Sequence, residues 1–411
     1  MKKGELEGRL LVLVTLGLTA FGLVMVYSAT SAAAAVGGHD PSYYLKRQGI
    51  YAAVGIAVMA WAARRDYRKL RHAAPTLLVA SLFLLVVVLG MGSSVNGARR
   101  WISLGPAAFQ PSELAKLALA IWAAAHLAKR KAPRTLKELA RPVGAMCVVA
   151  CLLILAEPDL GTAIAIVVML AGVLLVSGTP ARLLATATTL AIGAGLFAIW
   201  LEPYRRARVF AFLNPWGDSQ GAGFQVVQAM IGLGSGGLFG VGLGQGVQKI
   251  FYLPEAHTDM IFAIVGEELG LLGSLAVMAA YAAFAYAGLR IAVSCRDPFG
   301  KRLAAGLTVL VCAQAAINLA AVMSLAPLTG IPLPFVSYGG SSLVVGLAAV
   351  GVLLNIAQGH GVAAAAEVRD RGRRDGRPRA ARARSGGSAA GARRARDVRR
   401  VAGSGRGSAR P

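Results

Sequence analysis

Long apolar runs separated by short polar segments, most of them basic, cover nearly the whole chain. Runs near the ~20 residues needed to cross a bilayer predict spans at roughly 10–30, 46–63, 73–91, 112–128, 143–156, 160–178, 183–201, 260–292, 303–325 and 340–358. The first run lacks a persuasive cleavage site and reads as a retained helix rather than a signal peptide. The predicted fold is an all-α polytopic membrane protein of about ten helices.

Positive charge in the short loops orients the spans. RRDYRKLRH at 64–72 sets the second turn in the cytoplasm, and the N-terminus with Lys2 and Lys3 falls on the same side. An even span count then returns the C-terminus to the cytoplasm and places the basic stretches 129–141 and 295–302 there too. Four polar or non-helical segments go to the outer face: 92–111, 157–161, 326–339 and a large loop, 202–259, between helices 7 and 8.

Composition supports the bilayer as the main solvent: of 411 residues 56% are hydrophobic and 15% charged, which excludes an ordinary water-soluble domain. The formal net charge of +24 owes much to residues 361–411, where fifteen arginines face four acidic residues in an Arg/Gly/Ala-rich stretch without helical or strand periodicity. Such a segment cannot bury enough apolar surface to offset its ordering entropy. It is expected to be a disordered cytoplasmic tail near anionic lipid, with no nucleic acid expected, behind a membrane domain at 1–360. Cys147, Cys151, Cys295 and Cys312 form neither a disulfide framework nor a zinc pattern. The glycine-rich stretch 232–246 reads as close-packed or re-entrant backbone.

Charged residues beside spans need a partner or a cavity, because a charge near hydrocarbon costs at least about 2.5–3.5 kcal/mol. Asp259, where PEAHTD meets an apolar helix start, reads either as a helix cap or as a general base at the membrane boundary. Glu113 and Lys116 share a helix face at three-residue spacing, as a local ion pair or as a phosphate-binding lysine with its orienting acid. Arg99 and Arg100 break the positive-inside bias, and Arg205, Arg206 and Arg208 add cations to the same face. With Lys116 and Lys249, these guanidiniums are expected to gather around a lipid pyrophosphate. His257 reads as an acid, a ligand or a simple hydrogen-bonder, and Glu157 and Asp159 as turn caps. Glu267 and Glu268 lie about 12–14 Å deeper than Asp259 at ~1.5 Å per residue, and pairing, proton binding and cavity exposure all stay open.

Six motifs carry a resemblance: VMVYSAT at 24–30, NGARRWISLGPAAFQPSELAK at 96–116, EPDLGTA at 157–163, FLNPWGDSQGAGFQ at 212–225, QKIFYLPEAHTDMIFAIVGEELG at 248–270 and PLTGIPLPFVSYGGSS at 327–342. Over about residues 10–358 the chain resembles the SEDS family of peptidoglycan glycosyltransferases, most of all its cell-division branch. The resemblance implies ten transmembrane helices and polymerisation of lipid II, the undecaprenyl-pyrophosphate-linked disaccharide pentapeptide, into septal glycan strands. It maps the essential aspartate of the family onto Asp259, with Met260 where Phe is usual, and the family's conserved Arg, Glu and Lys onto Arg100, Glu113 and Lys116. It also implies a class B penicillin-binding protein and other divisome proteins as partners. No metal cage is readable, although a divalent cation, magnesium or manganese, is compatible with pyrophosphate chemistry. A lipid II flippase and an elongation or sporulation polymerase stand as the alternatives.

Overall fold

In a computed structural model the chain is described over residues 4–375 except 39, 96, 97, 106 and 251. A helix lies on each of the ten predicted spans: α1 (Glu5–Val36), α2 (Tyr43–Arg64), α3 (Leu70–Met91), α4 (Pro111–Ala128), the pair α5 (Leu136–Leu139) and α6 (Ala145–Ala156), α7 (Leu160–Val176), α8 (Ala181–Leu201), then, beyond two shorter helices, α11 (Ile261–Ser294), α12 (Pro298–Val322) and α13 (Gly340–Asp375). Seven of these stretches are long and apolar enough to cross a membrane. The helices α2, α4 and α7 fall outside that set; α7, at 17 residues, is about 25 Å long against a hydrocarbon core of about 30 Å.

The segment 202–259 is more ordered than expected, holding α9 (Pro203–Leu213) and α10 (Phe224–Ser235). Residues 92–111, read as polar or non-helical, form a small antiparallel sheet of β1 (Ser93–Val95), β2 (Ala98–Leu104) and β3 (Ala107–Phe109) in that order. Trp101 pairs with Ser93 and Ile102 with Phe109. The last helix runs past the anticipated boundary at 360 to Asp375, and the expected disorder of 376–411 lies outside the described residues.

The compact unit up to Ala365 is built around α11 and α12, which pack together, with α1 against α11 and with α4 and α7 against α12. Small residues permit the close approaches: a Cβ on Gly288 of α11 would meet Thr308 of α12, and one on Gly306 would meet Val173 of α7. Within α11 the helix breaks at Gly270, at φ 65 and ψ −159, a backbone that only glycine adopts readily. The break frees the carbonyls of Glu267 and Glu268, which accept instead from the amides of Val241 and Gly242. The amides of Leu271 and Leu272 donate to the carbonyls of Gly237 and Leu238. The glycine-rich loop therefore supplies partners for four backbone groups that the broken helix would otherwise leave open.

Candidate functional site

Asp259 is set by a tight turn in which Glu255, at φ 55, accepts on its carbonyl from the amides of Thr258 (3.0 Å) and Met260 (3.4 Å). The carboxylate does not cap α11, whose N-cap is Met260 without a side-chain bond, and the capping alternative falls away. The Thr258 hydroxyl, with one hydrogen to donate, lies 3.3 Å from Asp259 Oδ1 and 3.0 Å from Glu255 Oε2, so the two carboxylates share one donor. Partly buried, Asp259 has its pKa pushed up to about 6, mainly by loss of hydration and next by the Glu255 carboxylate, with Arg208 opposing both.

Arg208, on α9, donates through Nη1 to the carbonyl of Leu328 at 3.1 Å, and its guanidinium lies 4.8 Å from the centre of the Tyr204 ring. Gly330, at φ 73, sits between cation and carboxylate: a Cβ there would come within 3.8 Å of Asp259 Oδ2 and 3.9 Å of Arg208 Nη1. Asn318 of α12 reaches the same point, donating through Nδ2 to the carbonyls of Asp259 and Ile331. His257 stands beside the turn with its ring 4.6 Å from that of Tyr44 and 5.6 Å from that of Tyr338. Its carbonyl accepts from the Tyr338 amide, and burial holds the imidazole below its usual pKa.

The other predicted cations do not join this group. Lys249, expected on a phosphate, is buried: its ammonium donates to Glu268 (2.7 Å), to the Gly244 carbonyl (2.7 Å) and to Ser28 of α1 (3.2 Å). Those three acceptors match the three donors of an ammonium, leaving none for a ligand. Lys116 is 1% exposed and pairs with Glu113 at 2.8 Å. This pair lines a cavity between α4, α12 and α13, which also receives Gln314, Phe335 and Ser342. Arg205 donates to the carbonyls of Ala198 and Leu155, tying the ends of α8 and α6 to α9, while Arg206 lies over Trp200. Arg100, on β2, donates to the carbonyls of Glu157 and Pro158 and so holds the sheet on the α6–α7 turn.

In that turn Asp159 caps α7 as expected, accepting from the Thr162 amide at 3.0 Å. Glu157 does not cap: its carboxylate is buried without a hydrogen-bond partner among the described residues. Burial first, and then the charge of Asp159, push its pKa up to about 8 against the pull of Arg100. Glu267 accepts from the amides of Val247 and Gln248, which with the Lys249–Glu268 pair settles both deep glutamates as fasteners of the glycine-rich loop. Sequence reading missed Asn318, Glu255 and Gly330. The signal for Asn318 was an amide inside an apolar run; Glu255 and Gly330 sat within quoted motifs, with nothing to mark their nearness to Asp259.

The model of the FtsW, RodA and SpoVE family, described as cell cycle protein, matches residues 8–360. The chain belongs to this family. It is 43% identical over 359 residues to the probable peptidoglycan glycosyltransferase FtsW of Geobacter sulfurreducens, covering 87% of this chain and 96% of that protein. It is 40% identical over 352 residues to the stage V sporulation protein E of Bacillus subtilis, covering 85% and 96%. Among solved structures it resembles one concerned with the coordination of polymerization and crosslinking by a peptidoglycan synthase complex, at a TM-score of 0.71, 31% identity and coverage of 85% and 97%. It also resembles the crystal structure of the rod shape determining protein RodA of Thermus thermophilus, at a TM-score of 0.63, 30% identity and coverage of 85% and 95%. Family and fold together make this a multi-pass membrane protein.

Proposed function

We propose that this chain is a peptidoglycan glycosyltransferase that polymerises lipid II at the division septum, with Asp259 as general base. Family membership and relatives named as peptidoglycan glycosyltransferases support the activity. The observation that carries the site is a partly buried carboxylate in the turn before α11 that does not cap the helix and faces Arg208 across Gly330, with its pKa pushed up to about 6. In the reaction the 4-hydroxyl of the incoming GlcNAc attacks the anomeric carbon of the terminal MurNAc on the growing strand. The new C1–O4 bond forms as the C1–O bond to undecaprenyl pyrophosphate breaks, with inversion from α to β. Asp259 takes the hydroxyl proton and later gives it to water, a role suited to a carboxyl titrating just below neutrality.

Arg208 is the cation that acts on the charge of that base, and His257 stands on the same turn, while Arg100 holds the small sheet on the α6–α7 turn and Arg206 lies over Trp200. Glu113 and Lys116 act from the buried cavity, while Lys249 and Arg205 hold the scaffold. Among the described residues no three His, Cys, Asp or Glu side chains group to hold a metal, and no step is routed through one. Ten spans are read from the apolar runs, cytoplasmic termini and an extracytoplasmic site from the loop charges, and a class B penicillin-binding protein is the partner that cross-links the product. Transport is less favoured, because the deep glutamates a proton path would use are both bound to the glycine-rich loop.

The test is polymerisation of purified lipid II in detergent by the wild type and Asp259→Asn, each with the partner transpeptidase. Loss of at least about 100-fold in rate is expected, the lower range for removing a general base. Wild-type glycan synthesis by the folded variant would refute the assignment, and absence of polymer from the wild type with its partner in detergent, where there is no second compartment to flip into, would favour the transporter.

A further inference from the structure

Asn318 is 2% exposed in the interior of α12. Its amide nitrogen donates twice, 2.7 Å to the Asp259 carbonyl and 2.8 Å to the Ile331 carbonyl. Each carbonyl belongs to a different half of the site. The first is that of the base itself. The second follows Gly330, the residue lying between Asp259 and Arg208, in the loop whose Leu328 carbonyl holds the Arg208 guanidinium. One side-chain amide thus spans the base-bearing turn and the cation-bearing loop. The amide oxygen of Asn318, by contrast, is buried with no hydrogen-bond partner among the described residues. Leaving a buried acceptor unsatisfied destabilises the fold, a penalty that leucine at this position would not carry.

We infer that Asn318 is a positioning residue that sets the separation between Asp259 and Arg208. The inference rests on the reading of Asp259 as base. A clamp that only joined two loops would alter stability; one that sets this separation also alters the ionisation of the base, because the pull of the guanidinium on the carboxylate falls with distance.

The experiment measures kcat, KM for lipid II and the pH dependence of kcat for Asn318→Leu, Arg208→Met and the double variant, with Asp259→Asn alongside and melting in detergent as the folding control. For Asn318→Leu, kcat should fall about 10- to 100-fold, as for an ångström-scale misplacement, with KM within about twofold of wild type. Its pH midpoint should move upward, in the direction of Arg208→Met, and the double variant should move little beyond Arg208→Met alone. Should Asn318→Leu fail to fold, Asn318→Ser, which keeps one donor, carries the same expectation. A wild-type kcat, or a lowered kcat with an unmoved midpoint, overturns the inference. Polymerisation by Asp259→Asn overturns the base assignment instead, so the two failures are distinct.

Discussion

At Asp259 two neighbours of opposite sign act on one carboxyl, and each can be removed alone. A general base works only when deprotonated, so polymerisation should rise with pH through a midpoint near 6 and level off above it. Arg208→Met removes the group that favours the charged form and should move the midpoint upward; Glu255→Gln removes a like charge and should move it downward. A pH–rate profile on lipid II reads both, and shifts of the same sign in the two variants would contradict the arrangement. The carboxylate itself was legible in the sequence, since PEAHTD ahead of an apolar run puts an acid at a membrane boundary. What decides its ionisation was not. Arg208, Gly330 and Asn318 are 51, 71 and 59 positions away, and only the packed loops bring them together. The cations show the converse limit, because composition counts guanidiniums and ammoniums without saying which are already consumed by carbonyls, as in Arg205, or by a carboxylate, as in Lys249.

Among the elements, α11 depends most on others for its shape. Its broken turn is completed by the glycine-rich loop, and the loop is fastened by Lys249 on Glu268 and by Glu267 on two amides. Removing one partner of a buried pair leaves an uncompensated charge, so Lys249→Met should cost about 3–5 kcal/mol. Replacing both, as Lys249→Met with Glu268→Leu, should recover most of that loss, and detergent melting of the set measures it. A single variant as stable as wild type would show that the pair contributes nothing. The hydropathy pattern found the helix but not its interruption. A lone glycine inside an apolar run carries no mark of a positive φ, and the compensating bonds come from residues about thirty positions earlier.

The whole molecule divides into a membrane unit and the arginine-rich extension. The matched family region ends at residue 360, so the arginine-rich extension lies beyond the part of the chain shared with the family. Truncation after Asp375 should therefore leave lipid II polymerisation within about twofold of the full chain, while binding to vesicles containing anionic lipid weakens as the arginines are lost. Equal vesicle binding by the two chains would remove the electrostatic role. All ten predicted stretches carry helices because apolar length is written directly into the chain, whereas in the small sheet at 93–109 two strands have only three residues each and the seven of β2, ARRWISL, do not alternate apolar with polar. Nine residues of helix stand between Met260, next to Asp259, and the interruption at Gly270, and both sides of that interruption are bonded to the same glycine-rich loop. A Cβ at position 270 would run into the Gly240 amide nitrogen and come within 2.7 Å of the Leu238 carbonyl, so any larger residue there would push the loop away. The acid at the head of this short arm is thus moored, through one missing side chain, to an earlier stretch of the chain.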